Sequence, residues 1–393
     1  MDYASSLKAL SRRRVLGGGA AAAALLIGER AAFAQTYAAG EDYTLGVILS
    51  STGPLAVLGQ LEIKGAQLRA DQINAAGGIN GHKIKLDVFD NKSDPQTTVS
   101  GARGLLTKKI VGLIGPESTA LGTGVIPLVN AAKIPNVSLQ GGIDLTGDHG
   151  YVFGIQITGS VIVKATIAHF KARGIKKIGY LSTSDALGQA GDRFGLPLFQ
   201  EGGIEIVGGK QTIDPAGSDY STQLAAVRSA GAEAVFLWGT GAPAIIAAKG
   251  FKAQRMPGNL FLLNLTIAQI TAMGDAAEVV RVAQTKANVY DQITPDDPVY
   301  ARMKPFVEAA TKANVPIDTF SSAGYGAVVV FEDAIRKVGP NPQKIFELWN
   351  GGYEPPVTVA RVKWDSKIHQ GFNPADAVLT AIDSKTMKFK VVK

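Results

Sequence analysis

The sequence predicts an α/β protein built as two doubly wound, parallel-sheet lobes. Two observations carry that expectation. Short apolar runs alternate with helical patterns of about ten residues as far as residue 283, the rhythm of a parallel sheet covered on both faces. The stretch from Thr44 to Pro95 is a complete unit of this kind: strand, loop, helix, turn, strand. Leu45 to Leu49 is apolar throughout, as a buried strand requires. Ser50-Ser51-Thr52-Gly53-Pro54 is a cluster of turn formers rich in hydroxyls. Ile63, Ala66, Ala70 and Ile73 recur at helical spacing. Gly77-Gly78 closes that helix, Asn80-Gly81 turns the chain, and Ile84, Leu86 and Val88 alternate as the next strand. A right-handed βαβ unit puts its first loop at the carboxyl end of the strand, where open α/β sheets bind ligands.

The remaining elements follow in order. A helix starts at Asp94 or Thr98 and runs to Leu106. Ile110 to Ile114 is the third strand. Ser118 and Thr119 open a helix that reaches about Ala132. Ile134 to Ser138 is a short strand, and Tyr151 to Ile157 leads out of the first lobe. A second set begins near Ser160. Its helices are Val161–Ala172, Gln189–Glu201, Ser221–Ala230 and Pro243–Phe251. Its strands are Lys177–Leu181, Ile204–Val207, Ala234–Trp238 and Leu260–Leu263. From about Gln284 the pattern changes. Tyr290 to Pro298 is polar and suits a crossing between lobes. Helices at Pro298–Ala313 and Ser321–Val338 follow, then a short helix and β-like runs at Val357–Val362, Ala377–Ile382 and Phe389–Val392.

The 393 residues are 46% apolar and 19% charged, with room for two ordinary domains and no cysteine. The lack of cysteine excludes thiolate nucleophiles and Cys-type zinc sites. The formal charge is +7. Lys8, Arg12, Arg13, Arg14 and Arg30 against Asp2 and Glu29 put +3 of that in residues 1–34. The rest carries no Lys/Arg run of the kind that binds nucleic acid. Ser11-Arg12-Arg13-Arg14-Val15-Leu16 resembles a twin-arginine export motif. The apolar run Gly17 to Ile27 and the small residues of Ala32-Phe33-Ala34 complete a removable signal peptide, with cleavage expected before Gln35. The apolar run is too short for a stable membrane span.

A doubly wound fold often binds nucleotides, but no Gly-x-Gly-x-x-Gly follows a strand, and neither a P-loop nor a Gly-x-Ser-x-Gly elbow is present. His82, His149, His169 and His369 have no metal-ligand spacing. No cofactor, metal or catalytic residue is expected, and nothing pairs a nucleophile with a base.

The opening unit carries a family resemblance. Its Ser51-Thr52-Gly53-Pro54 loop, Gly65-Ala66 helix, Ile73-Asn74-Ala75-Ala76-Gly77-Gly78-Ile79-Asn80-Gly81 stretch and Asp90-x-x-x-Asp94-Pro95 pattern resemble the periplasmic solute-binding proteins of ABC importers, branched-chain amino acid type. Val362-Lys363-Trp364-Asp365 extends the likeness through most of the mature chain. The resemblance implies two lobes on a three-segment hinge: 40–157 with 284–340, and 158–283 with 341–393. It also implies a periplasmic location, delivery of a small carboxylate to membrane permease subunits, and a monomer.

In that family a Ser/Thr loop holds the ligand carboxylate, which here corresponds to Ser118 and Thr119. A helix start favours an anion through its unpaired N–H groups; simple capping by the two hydroxyls is the alternative. A second loop adds backbone groups, here Ser138, Gln140, Gly141 and Gly142, with two glycines in place of the usual Ala-Thr pair. The family's second-lobe tyrosine corresponds to Leu187 before Gly188, and its mid-lobe aromatic to Trp238. Its acidic partner for the ligand ammonium would fall near Asn264, yet no Asp or Glu lies between Gly241 and Gly274. A buried ammonium needs such a partner. The expected ligand is therefore a carboxylate with an apolar or aromatic body, walled by Leu58, Leu187, Trp238 and Tyr325, rather than a plain zwitterion. A sensory module with the same closing lobes and a secreted α/β enzyme are the rival readings. Ligand accumulation without turnover separates binding from the enzyme.

Overall fold

β1 (Tyr43–Leu49) is buried at every residue but Thr44, because strands pair with it on both sides. β2 (Ile84–Asp90) and β3 (Gly112–Ile114) both run parallel to it. A strand covered on two faces and two edges reads as the continuous apolar run the sequence shows. With β4 (Asn136–Ser138) and β5 (Val152–Gly154) the first sheet is all parallel, in the order β2-β1-β3-β4-β5. This computed structural model describes residues 36–142, 145, 147, 149–383 and 385–392; the expected signal peptide lies outside the described residues.

The first sheet's helices are α1 (Ala56–Ala75), α2 (Pro95–Leu106), α3 (Thr119–Gly122) and α4 (Ile126–Ala132). Asp94 caps α2 by accepting the Thr97 N–H, with Pro95 in the first turn. The single helix expected from Ser118 to Ala132 is instead two short pieces. Gly122 ends the first piece and Gly124 lies in the break after it, where helix propensity is lowest.

The second sheet has seven strands in the order β12-β11-β10-β9-β8-β6-β7. β6 (Lys177–Thr183), β7 (Glu205–Ile213), β8 (Ala234–Trp238), β9 (Leu260–Leu262) and β10 (Val280–Thr285) are parallel; β11 (Ala377–Asp383) and β12 (Lys388–Val391) form an antiparallel edge on β10. Around it lie α5 (Gly159–Arg173), α6 (Ala186–Ala190), α7 (Leu196–Glu201), α8 (Ser221–Ser229), α9 (Ala242–Ala253) and α10 (Ile267–Met273). One turn of π-helix at Gly191–Gly195 joins α6 to α7.

After β10 the chain returns to the first sheet through α11 (Tyr300–Ala313) and α12 (Thr319–Val338). α12 lies against α1 at backbone distance. A Cβ on Gly65 would stand 2.8 Å from the Ser321 carbonyl carbon and 2.9 Å from the Tyr325 nitrogen, and one on Gly324 would overlap the Glu62 main chain.

The expected lobe boundary needs correction. α13 (Pro342–Asn350) packs on the first sheet, with Phe346 stacked on Tyr151 at 4.1 Å and Trp349 at 5.3 Å from Phe153. Trp364 lies 5.0 Å from Phe153. Residues 341–372 therefore cover the first lobe, and the chain rejoins the second only at β11. Val357 to Val362 is not a strand. It is buried coil whose one bridge joins Val362 to Phe372. Among the described residues the chain thus passes between lobes at 155–158, after β10, and before β11.

Candidate functional site

The carboxyl ends of both sheets meet at a cavity. From the first lobe come Leu55, Leu58, Glu117, Ser118, Thr119, Leu139, Gly141 and Gly142. From the second come Leu187, Thr240, Leu263 and Asn264. Gln156 and Ile157 reach it from the first crossing, and Thr319 and Phe320 from the start of α12. The walls close tightly. A Cβ on Gly142 would lie 2.9 Å from Leu187 Cδ1 and would overlap the Thr119 hydroxyl.

Ser118 is the N-cap residue of α3, but its side chain makes no capping bond. Neither Ser118 Oγ nor Thr119 Oγ1 has a hydrogen-bond partner, although both atoms are buried. Native proteins rarely leave such groups unpaired. Capping therefore does not account for the pair. α3 has four residues, so the helix dipole adds little, and the donors themselves are what the loop offers. Asn264 Oδ1 is likewise buried and unpaired on the opposite wall. Between the polar groups the lining is apolar, with Leu58, Leu139, Ile157, Ile162, Leu187, Leu263 and Phe320.

Seven of the eleven residues expected at the site line this cavity: Ser118, Thr119, Gly141, Gly142, Leu58, Leu187 and Asn264. Four do not. Ser138 is fully buried, its hydroxyl accepting the Gln140 N–H at 3.4 Å. Gln140 is turned against Gly122. Trp238 lies in the second-lobe core, where Gly159, Gly191 and Gly195 pack on its indole. The cavity is reached two residues later, by Thr240. Tyr325 lies on another face of α12. Its hydroxyl donates to Gln72 at 2.8 Å, and its ring sits 5.2 Å from Phe306. Five residues along a helix is about 140° of rotation from Phe320, which does face the cavity.

Glu117 has no place in the sequence argument, yet it is an ionisable residue of the lining. Its Oε1 accepts the Ser50 N–H at 3.2 Å and the Ser50 hydroxyl, and its Oε2 accepts from Asn91 at 3.2 Å. Burial pushes its carboxyl above the usual range, against the pull of those bonds. Glu62 on α1 is 0% exposed, and neither of its oxygens has a partner. Burial first, then the charges of Glu117 and Asp318, raise its pKa well above the ordinary 4.5.

The unfolded chain releases this proton near pH 4.5 and the folded chain keeps it. Glu62 therefore costs increasing stability as pH rises above the unfolded value, about 1.4 kcal/mol per pH unit until the folded pKa is reached. Glu62→Gln is expected to be more stable than the parent at pH 7, with the difference closing toward pH 4 in paired denaturant titrations. A gap that does not change with pH would sink this account.

Residues 42–351 match the family described as periplasmic binding protein, and the chain belongs to that family. It is 24% identical to the Leu/Ile/Val-binding protein BraC3 of Rhizobium johnstonii, over 85% of this chain and 90% of that one. Among solved structures it resembles the branched-chain amino acid transporter substrate-binding protein LivJ of Streptococcus pneumoniae, determined with isoleucine (TM-score 0.74, 21% identity, 90% of this chain and 99% of that one). It also resembles an ABC transporter solute-binding protein of R. palustris determined with 4-hydroxybenzoate (TM-score 0.73, 19% identity, 90% and 95%). These likenesses agree with the two-lobed fold. Among the described residues no helix is long and apolar enough to cross a membrane, and no group of three or more His, Asp or Glu side chains is arranged to hold a metal ion.

Proposed function

We propose that this chain is an extracytoplasmic solute-binding protein that closes its lobes on a small carboxylate and presents it to the permease subunits of an ABC importer. The observation that carries this reading is the pair of buried, unpartnered hydroxyls on Ser118 and Thr119, facing a second-lobe wall without a charged side chain. Hydrogen bonds to an ionised acceptor are the stronger kind, so two such donors suit a carboxylate. The proteins determined with isoleucine and with 4-hydroxybenzoate share that group. The reading includes export as a monomer, with the first 34 residues removed as a signal peptide.

The body of the ligand is apolar or aromatic on this reading, because leucines, isoleucines and Phe320 make up most of the remaining wall. A plain amino acid is the second reading. Glu117 favours it, since Oε2 accepts one bond and keeps a free lone pair for an ammonium.

The test is thermal stability of the protein from Gln35 onward against L-leucine, L-isoleucine, L-phenylalanine, benzoate, 4-hydroxybenzoate and isovalerate. A ligand present at 100 times its dissociation constant adds about 2.7 kcal/mol. Stabilisation by the amine-free acids alone is the expected result. Stabilisation by the amino acids alone would assign the ammonium to Glu117 or Asn264, and no shift with any of the six would overturn the carboxylate reading.

A further inference from the structure

The first crossing between the lobes carries a polar group that the fold itself leaves unused. Gln156 is 5% exposed and lines the cavity. Its Oε1 accepts the N–H of Ile157 at 3.2 Å. That bond fixes which way round the amide lies, because the opposite orientation would set an NH2 against an N–H. The atom left over is Nε2. It is buried and has no hydrogen-bond partner. Buried donors are rarely left unpaired, and at a ligand cavity a bound ligand supplies the partner.

The position is also well anchored. Gln156 Cγ is 3.3 Å from where a Gly141 Cβ would stand, so the side chain lies against the Gly141–Gly142 loop. The Gly141 carbonyl accepts the Gly159 N–H at 2.8 Å, tying that loop to the crossing. The main-chain oxygen of Gln156 accepts from Gln370 Nε2 at 2.9 Å, and the same nitrogen reaches the Gln140 oxygen at 3.3 Å. Gln370 belongs to the first-lobe segment that leads into the crossing before β11. The first crossing, the segment leading to the third, and the glycine loop thus converge on one residue.

We propose that Gln156 is a ligand-binding residue, its Nε2–H donating to the carboxylate held by Ser118 and Thr119. The bound anion is then gripped by three neutral donors and no cation, and one of the three stands on the segment about which the lobes turn. Ligand contact and the first crossing are joined in one side chain. This inference rests on the carboxylate reading of the cavity.

The experiment compares the parent with Gln156→Glu and Gln156→Met, using the same six compounds as probes. Glutamate keeps an oxygen for the Ile157 N–H and exchanges the cavity donor for an acceptor. Methionine keeps the volume and loses the donor. Affinity for each compound that binds the parent is expected to fall about tenfold to a hundredfold in Gln156→Met, and further in Gln156→Glu at pH 8, with partial recovery at pH 5 as that carboxyl is protonated. In the parent, the side-chain amide 15N–1H resonances of Gln156 are expected to move on ligand addition, a readout independent of whether either variant folds. Unmoved resonances, or Gln156→Met affinity within about twofold of the parent, overturn the inference and leave the carboxylate reading standing. If no compound binds the parent, the carboxylate reading falls and takes this inference with it.

Discussion

Replacing Ser118 with Ala and Thr119 with Val in one protein is expected to weaken carboxylate binding between about a hundredfold and ten-thousandfold. A hydrogen bond to an ionised acceptor contributes about 1.5–3 kcal/mol, and two are removed. The melting temperature of the empty protein is expected to stay nearly constant. Neither hydroxyl has a partner within the fold, Ser118 does not cap α3 with its side chain, and valine retains the threonine methyl. The two readouts separate the roles. A large fall in empty-protein stability would make the hydroxyls structural, and unchanged affinity would remove them from the site. The measurement is calorimetric titration with whichever of the six compounds binds the parent, beside a thermal melt without ligand.

The second large effect is on stability. Gly65→Ala adds one methyl where α1 meets α12. In an exposed helix that change stabilises by about 0.5–1 kcal/mol. Here the new carbon would overlap the Ser321 carbonyl and stand 2.9 Å from the Tyr325 nitrogen. Both are main-chain atoms of a helix buried along most of its length, so neither can swing aside as a flexible side chain would. Overpacking of this kind costs about 1–3 kcal/mol or more, and the clash outweighs the propensity gain. Gly104 in α2 is the internal control. It is exposed, with nothing within 4 Å of an added Cβ, so Gly104→Ala is expected to stabilise. Denaturant midpoints for the two variants should move in opposite directions. A stabilised Gly65→Ala would mean that α1 and α12 part easily.

The strands and helices that the sequence made legible are those whose pattern is unbroken. β1 and β8 are continuous apolar runs bounded by turn residues, and α1 and α12 carry apolar positions at helical spacing. β10 escaped because Arg281, Gln284 and Thr285 interrupt Val280, Val282 and Ala283. A strand shielded by a neighbouring hairpin tolerates polar residues that break its run. α13 was legible as a helix but not as part of the first lobe. Its apolar face says that it packs, and only the aromatic contacts with Tyr151 and Phe153 say on what.

The same division runs through the site. Ser118, Thr119, Gly141, Gly142, Leu187 and Asn264 stand at strand ends whose positions follow from the βα rhythm. The family correspondence points to Trp238 and residue type to Tyr325, and the direction of each depends on strand pleat and helix rotation that neither reveals. Glu117 sits one residue before the hydroxyl pair and looks like an ordinary turn acid until Ser50 and Asn91, some 67 and 26 residues earlier, are folded onto it. Gln156 and Thr240 belong to no motif. What singles out Gln156 is a missing hydrogen bond, and only a folded chain has one to miss.

The burial of the tryptophans has an optical consequence. Trp238, Trp349 and Trp364 are each 0% exposed, and they are all the tryptophan the chain contains. None of them lines the cleft, so the intrinsic fluorescence comes from indoles in apolar surroundings, shielded from aqueous quenchers and out of reach of any bound molecule. Trp349 and Trp364 are 5.3 Å apart within the first-lobe aromatic cluster. Trp238 lies beneath Gly159, the first residue of α5 and the next after the first crossing. An emission change on adding solute would therefore report repacking around a buried indole and not contact with the solute.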